Sequence, residues 1–265
     1  MDALAHFLEQ KAKQYNQPDF IAADPISIPH QFADKRDIEI AGFFAAVFAW
    51  GNRTTILNKS NELLALMDHA PYQFITQHKE SDRQRFTNFR HRTFNPTDTL
   101  YFIHWLQHWY SHHNSLEEAF TQFHDPLDDH TGPALIGFHK LFFDLSEAPD
   151  RTRKHIPTPL RKSTCKRLNM YLRWMVRQDK EGVDFGLWRT IRPHQLICPV
   201  DTHVNRIARE LGLVQRKQTD WLTALELTEA LRELDPDDPV RYDFALFGLG
   251  IEDRKFGGLN LSTGL

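Results

Sequence analysis

Lys166 and Asp201 are the residues whose types and settings could do chemistry. Lys166 lies in the basic run Arg161-Lys162-Ser163-Thr164-Cys165-Lys166-Arg167, ahead of a helical pattern. Asp201 lies 35 residues later in Ile197-Cys198-Pro199-Val200-Asp201-Thr202-His203-Val204-Asn205-Arg206, at the mouth of another helix. A lysine amine among other cations is easier to deprotonate and can act as a nucleophile. A nearby carboxylate can take its proton or stabilise positive charge developing on a sugar carbon. Meeting in a nucleic-acid groove, the two could cut a glycosidic bond. Each also has a plain explanation. Aspartate is a preferred helix N-cap contributing about 1 kcal/mol, and a lone lysine usually belongs to a solvated helix face.

The elements that must hold this pair read as helices. Ile38 to Trp50 is apolar nearly all round and ends at Gly51, the pattern of a strut buried on every side. Residues 99–110 are helical and aromatic-rich. Arg161 to Arg177 predicts a helix capped by Ser163 or Thr164, with Leu168, Tyr171, Leu172 and Met175 on its inner face. Asp201 opens a helix closed by Gly212. Residues 219–234 are amphipathic, and Asp238-Pro239 caps a last helix from Val240 to Leu249. No alternating strand pattern, repeat or low-complexity linker stands out, so the expected class is all-α.

Composition sets the outer limits. The 265 residues suffice for a substantial core, with 41% hydrophobic and 25% charged residues. No apolar run is long enough to span a bilayer, and Met1 to His6 lacks the layout of a secretory signal; a cytoplasmic location is expected. The two cysteines, Cys165 and Cys198, cannot build a disulfide framework or a four-cysteine cluster, and no cofactor is expected. The net charge of −3 argues against a nucleic-acid partner, but its distribution argues for one. Residues 151–177 hold nine Lys/Arg and no acid. The rest of the chain carries 23 basic against 35 acidic residues, a net of −12. A basic face on an acidic body supplies the local field that phosphates need.

The segment VDTHVNRIARELGL closely resembles the one carrying the catalytic aspartate in the helix-hairpin-helix DNA glycosylase superfamily, which includes endonuclease III-like and 8-oxoguanine glycosylases. In that superfamily a lysine also opens the helix after the hairpin, with apolar residues at the offsets that Leu168, Met170, Tyr171 and Leu172 hold after Lys166. Phe48-Ala49-Trp50-Gly51-Asn52-Arg53 resembles the helix and turn beside its base pocket. The stretches KRLNMYLRWMVR and DPDDPVRYDFALFGLG resemble an uncharacterised bacterial family of conserved hypothetical proteins related to these glycosylases. Three features depart from the superfamily pattern. The hairpin region, Ile156 to Ser163, has no glycine. The interval from Lys166 to Asp201 is about twice the usual one. The iron–sulfur cysteines of the endonuclease III branch are absent.

The resemblance implies two helical lobes with a cleft, about 35–196 and about 1–34 plus 197–265. It implies a monomeric enzyme that removes a damaged base from double-stranded DNA, with or without abasic-site lyase activity. Lys166 and Asp201 would be catalytic, and Trp50, Asn52, Arg53 and His203 would form the base pocket. Arg161, Lys162, Ser163, Arg167 and Arg173 would bind nucleic acid. Arg90 and Arg92 would join them from a stretch in which Arg83, Arg85, Arg90, His91 and Arg92 alternate with Phe86, Phe89 and Phe94. Two rivals are a catalytically silent nucleic-acid-binding module and a histidine-metal hydrolase. The latter would use His104, His108 and His112 at i, i+4, i+8, with His113 adjacent, although no HExxH or nearby carboxylate completes a ligand set.

Overall fold

The computed structural model describes residues 2–256, and among them it is helical throughout, with one isolated bridge between His91 and Phe94. The helices are α1 (Asp2–Tyr15), α2 (Pro18–Ala22), α3 (Lys35–Phe48), α4 (Arg53–Leu66), α5 (Pro71–Gln77), α6 (Pro96–Tyr110), α7 (Glu117–Thr121), α8 (Gly132–Phe142), α9 (Lys166–Val176), α10 (Thr202–Glu210), α11 (Trp221–Arg232) and α12 (Asp243–Phe256). No helix is long and apolar enough to cross a membrane among the described residues. The chain divides into two compact units, residues 21–125 with 133–157, and residues 1–20 with 126–132 and 158–265.

The first unit is built on α3. Every residue from Ile38 to Phe48 is buried, as its all-round apolar sequence requires. Phe43 stacks on Phe102 of α6 at 5.6 Å, and Phe48 meets Phe94 edge-on at 5.0 Å. The one charged residue in this run, Glu39, is fully buried and accepts from the Tyr110 hydroxyl at 2.9 Å and the Leu116 amide at 3.1 Å. A buried carboxylate persists only when its oxygens are satisfied in this way.

The second unit gathers α1 and α9–α12. Two glycines let α12 approach its neighbours: a Cβ at Gly248 would lie 2.3 Å from the Tyr15 ring, and one at Gly250 would lie 2.8 Å from the His203 Cβ. Gly250 thereby sets the distance between α12 and the first turn of α10. Leu168, Tyr171, Leu172 and Met175 of α9 are all buried, as their spacing predicts. The chain then folds back on the end of α9, with the Phe185 and Trp188 amides donating to the Trp174 and Met175 carbonyls at 2.8 Å.

The lobe boundaries expected from sequence differ from this division. Residues 158–196 pack with the C-terminal helices, and residues 21–34 belong to the other unit. Buried ion pairs account for the first difference. Arg173 pairs with Asp184 and Asp243, and Arg177 with Asp179, Asp184 and Asp238. Both guanidiniums are nearly fully buried, so α9 stays with the carboxylates that neutralise it. Replacing Arg177 with Ala should destabilise the protein by about 3–5 kcal/mol, because Asp179 and Asp238 lose their guanidinium and Asp184 keeps only Arg173. Chemical denaturation followed by circular dichroism measures this; a loss below about 1 kcal/mol would rule out the cluster as the clamp on α9.

Candidate functional site

α9 starts from an unusual turn. A short 3-10 helix, Pro159–Arg161, leads into Lys162 at φ +56°, and Cys165 at φ +52° precedes Lys166. Left-handed backbone at two non-glycine residues needs support, and hydrogen bonds supply it. The Cys165 amide donates to Ser163 Oγ at 3.1 Å, and Asn169 Nδ2 donates to the Thr164 carbonyl at 3.0 Å. The N-cap position is therefore Cys165, with no side-chain cap, rather than Ser163 or Thr164; Ser163 turns back to hold the Cys165 amide.

α10 starts as the sequence predicts. Asp201 is its N-cap and accepts from the His203 and Val204 amides at 2.8 and 2.9 Å. Both bonds fall on Oδ1, so the cap leaves Oδ2 uncommitted. The two helix starts are tied together, because Thr164 Oγ1 donates to the Val200 carbonyl at 3.1 Å. Lys166 is half-buried and forms no ion pair among the described residues.

Asp243, at the head of α12, lies where the charges of Lys166 and Asp201 are both felt. Burial pushes its carboxyl up to about 6 and outweighs the neighbouring Arg173 guanidinium; Asp201 raises it further and Lys166 opposes. Cys198 lies 3.9 Å from the Asp243 carboxylate, and its thiol is held well above its usual range, first by burial and then by that charge. Lys166 and Asp201, expected on different lobes, thus belong to one unit and share Asp243 as a neighbour. Sequence reasoning missed Asp243. The available signal was the long apolar run of α9, which leaves Arg173 no route to solvent and so demands a buried acid.

The basic window changes character in three dimensions. Arg173 is buried in its ion pairs and cannot reach a phosphate, which corrects its assignment to a nucleic-acid face. Arg177 is used in the same way, and Arg151 pairs with the buried Asp98. Arg167 is half-buried, and desolvation pushes its guanidinium down to about 10. Arg161 and Lys162 remain exposed and make no ion pair among the described residues. His203 is half-buried, with its Cβ against Gly250. A cavity of about 720 Å³, lined by Asn16, Arg177, Asp179, Asp238 and Arg241 among others, lies at the opposite end of α9 from Lys166.

The other candidates belong to the first unit. Trp50 is half-buried, and the Arg92 guanidinium sits over its ring at 4.4 Å, so close that a Cβ at Gly51 would meet Arg92 Nη1 at 2.1 Å. Asn52 caps α4, accepting from the Thr55 amide at 3.1 Å, and Arg53 is its first residue. Arg90 and Arg92 are exposed, while Phe86, Phe89 and Phe94 are core residues. The rings of His108 on α6 and His112 just beyond its end are 5.3 Å apart and tilted at 52°. No group of three or more His, Cys, Asp and Glu among the described residues could hold a metal ion.

A family model covers residues 24–252, and the chain belongs to that family, a protein family of unknown function designated DUF2400. No curated protein matches the chain. No solved structure matches it either.

Asp243 generates a stability test. Its folded pKa of about 6 lies above the ordinary carboxylate value of about 4, so the folded state binds the proton more tightly. Its contribution to stability is complete below pH 4 and is lost as the pH rises through 6. Asp243→Asn should remove this pH dependence between 4 and 7, measured as the difference between wild-type and variant denaturation midpoints. Parallel profiles across that window would contradict the assignment.

Proposed function

We propose that this protein binds double-stranded DNA and removes a damaged base, using Lys166 and Asp201. The observation that carries this reading is the joined pair of helix starts. Lys166, at the head of α9, forms no ion pair among the described residues, Asp201 caps α10 through Oδ1, and the Thr164–Val200 bond holds the two starts together. The residue pattern around both positions, with its resemblance to the helix-hairpin-helix glycosylases, supports the same chemistry.

In this reading an extruded nucleotide presents its C1′ to the Lys166 amine. A bond forms between the amine nitrogen and C1′ as the glycosidic bond breaks, and the base leaves with the bonding electrons. Asp201 Oδ2 accepts the proton that the amine loses or stabilises the positive charge passing through the sugar. Sugar ring opening gives a Schiff base, which water hydrolyses. Arg161 and Lys162 hold backbone phosphates beside the site. The rival with a specific observation in its favour is a binding module without catalysis, because Asp201 is fully explained as a cap through Oδ1.

Two variants separate these readings. Lys166→Gln should abolish borohydride trapping on a duplex with an abasic site while leaving affinity nearly intact. Asp201→Asn keeps a good cap, since Asn and Asp rank alike there. Its stability should change little while its turnover falls by orders of magnitude. Full turnover in Asp201→Asn would make Asp201 a cap and nothing more.

A further inference from the structure

The cavity at the C-terminal end of α9 plays no part in the proposed chemistry at Lys166. Its volume, about 720 Å³, is that of a small-molecule site. Lys13 and Asn16 line it from the end of α1, Gln178 and Asp179 from the chain after α9, and Asp238 and Arg241 from the turn before α12. The C-terminal ends of two helices, α1 at Tyr15 and α9 at Val176, therefore border one cavity. Both helix dipoles favour a positive charge there.

Two oxygens of the lining residues, Asn16 Oδ1 and Asp238 Oδ1, have no hydrogen-bond partner among the described residues. Asn16 is only 9% exposed, and its Nδ2 donates to Asp179 Oδ2 at 2.6 Å. Turning this amide over would set two acceptors against each other, so its free atom is an acceptor. Asp179 is satisfied on both oxygens. Arg177 also donates to its Oδ2, and the Glu181 and Gly182 amides donate to its Oδ1 at 2.9 and 3.1 Å. Asp238 is not. Its Oδ2 accepts from Arg177 Nε at 2.8 Å, which leaves Oδ1 open. A buried oxygen without a donor is costly, and a ligand that donates to both oxygens removes that cost.

The charges point the same way. Arg177 faces Asp179, Asp184 and Asp238, and of these only Asp184 has a second guanidinium, Arg173, among the described residues. Arg241 is neutralised by Glu9 and Asp235. Burial raises the Asp238 carboxyl above its usual value; Arg177 opposes this, and Asp184 and Asp235 add to it. Among the described residues no cluster of ligands could hold a metal ion, so the complement of this wall is an organic cation with N–H donors.

We infer that this cavity binds a small aliphatic polyamine, with one ammonium group donating to Asn16 Oδ1 and Asp238 Oδ1. An ammonium has three N–H donors and no acceptor, which matches a wall whose open groups are both acceptors. Further ammonium groups on the same chain lie near the negative ends of α1 and α9 and near exposed Glu181. Lys180, exposed beside Glu181, is the cation that opposes them. The inference does not involve Lys166 and stands or falls apart from the DNA-binding reading.

The test is isothermal titration calorimetry of the full chain with spermidine, putrescine and 4-aminobutyrate. Both polyamines should bind saturably, spermidine the more tightly. 4-Aminobutyrate keeps one ammonium but carries a carboxylate, and should bind more weakly than putrescine. Asp238→Asn keeps the side chain's shape and one acceptor for Arg177, and should weaken spermidine binding roughly tenfold or more. Lys180→Glu changes an exposed residue with no ion pair among the described residues, and should tighten spermidine binding roughly threefold. A gain of affinity cannot come from misfolding, and circular dichroism checks the fold of both variants. Saturable binding that both variants leave unchanged would be a general attraction of polyamines to an acidic surface and would overturn the inference. So would the lack of saturable binding of either polyamine to wild type. 4-Aminobutyrate bound as tightly as putrescine would make the ligand an amino acid, with its carboxylate at Lys180, and would overturn the polyamine assignment.

Discussion

The C-terminal unit depends on one buried cluster of charge. Arg173 and Arg177, each about 4% exposed, share Asp184 and reach Asp243, Asp238 and Asp179. Both guanidiniums also lie over the Phe244 ring, at 4.3 and 5.5 Å. Buried charges are costly alone and tolerable only when paired and hydrogen-bonded. The segment after α9 and the head of α12 therefore have little freedom, because moving either strands a charge. Such a cluster contributes less to net stability than an apolar core of the same volume would, and more to fixing one arrangement. Here it fixes the axis of α9.

The proposed function depends on what that axis points to. α9 is clamped along its length and at its C-terminal end, so its first residue, Lys166, is delivered to one place. Gly250 lets α10 come close to α12, and Thr164 ties the turn before α9 to Val200. Asp201 and Lys166 are thereby both close enough for their charges to act on Asp243, in opposite directions. The buried arginines and Asp243 provide the frame, and in the proposed function the half-buried lysine and aspartate are the groups that would react. A cluster that serves as frame cannot also bind phosphate, which is why two cations of the basic window, Arg173 and Arg177, turn inward.

Much of this was legible in the chain. The apolar circumference of Ile38 to Phe48 demanded burial, the spacing of Leu168, Tyr171, Leu172 and Met175 gave the face of α9, and Asp201 read correctly as a cap. The partners of Arg173 and Arg177 were only partly legible: Asp179 and Asp184 follow just beyond the acid-free window, whereas Asp238 and Asp243 lie 61 and 70 residues away, out of reach of local charge counting. The start of α9 was misread because Lys162 and Cys165 adopt left-handed backbone without glycine, held by hydrogen bonds that the sequence does not announce. The stacking of Arg92 on Trp50 joins residues 42 apart through a turn with no strong turn signature. The division at residue 158 depends on the same long-range ion pairs.

The central claim is that Lys166 is the nucleophile of a base-excision site. Peptide mapping by tandem mass spectrometry, after borohydride reduction of the protein with an abasic-site duplex, tests it most directly. An adduct carried by the peptide containing Lys166 is the expected result. An adduct confined to another lysine, or a protein recovered unmodified under conditions where it binds the duplex, would contradict it.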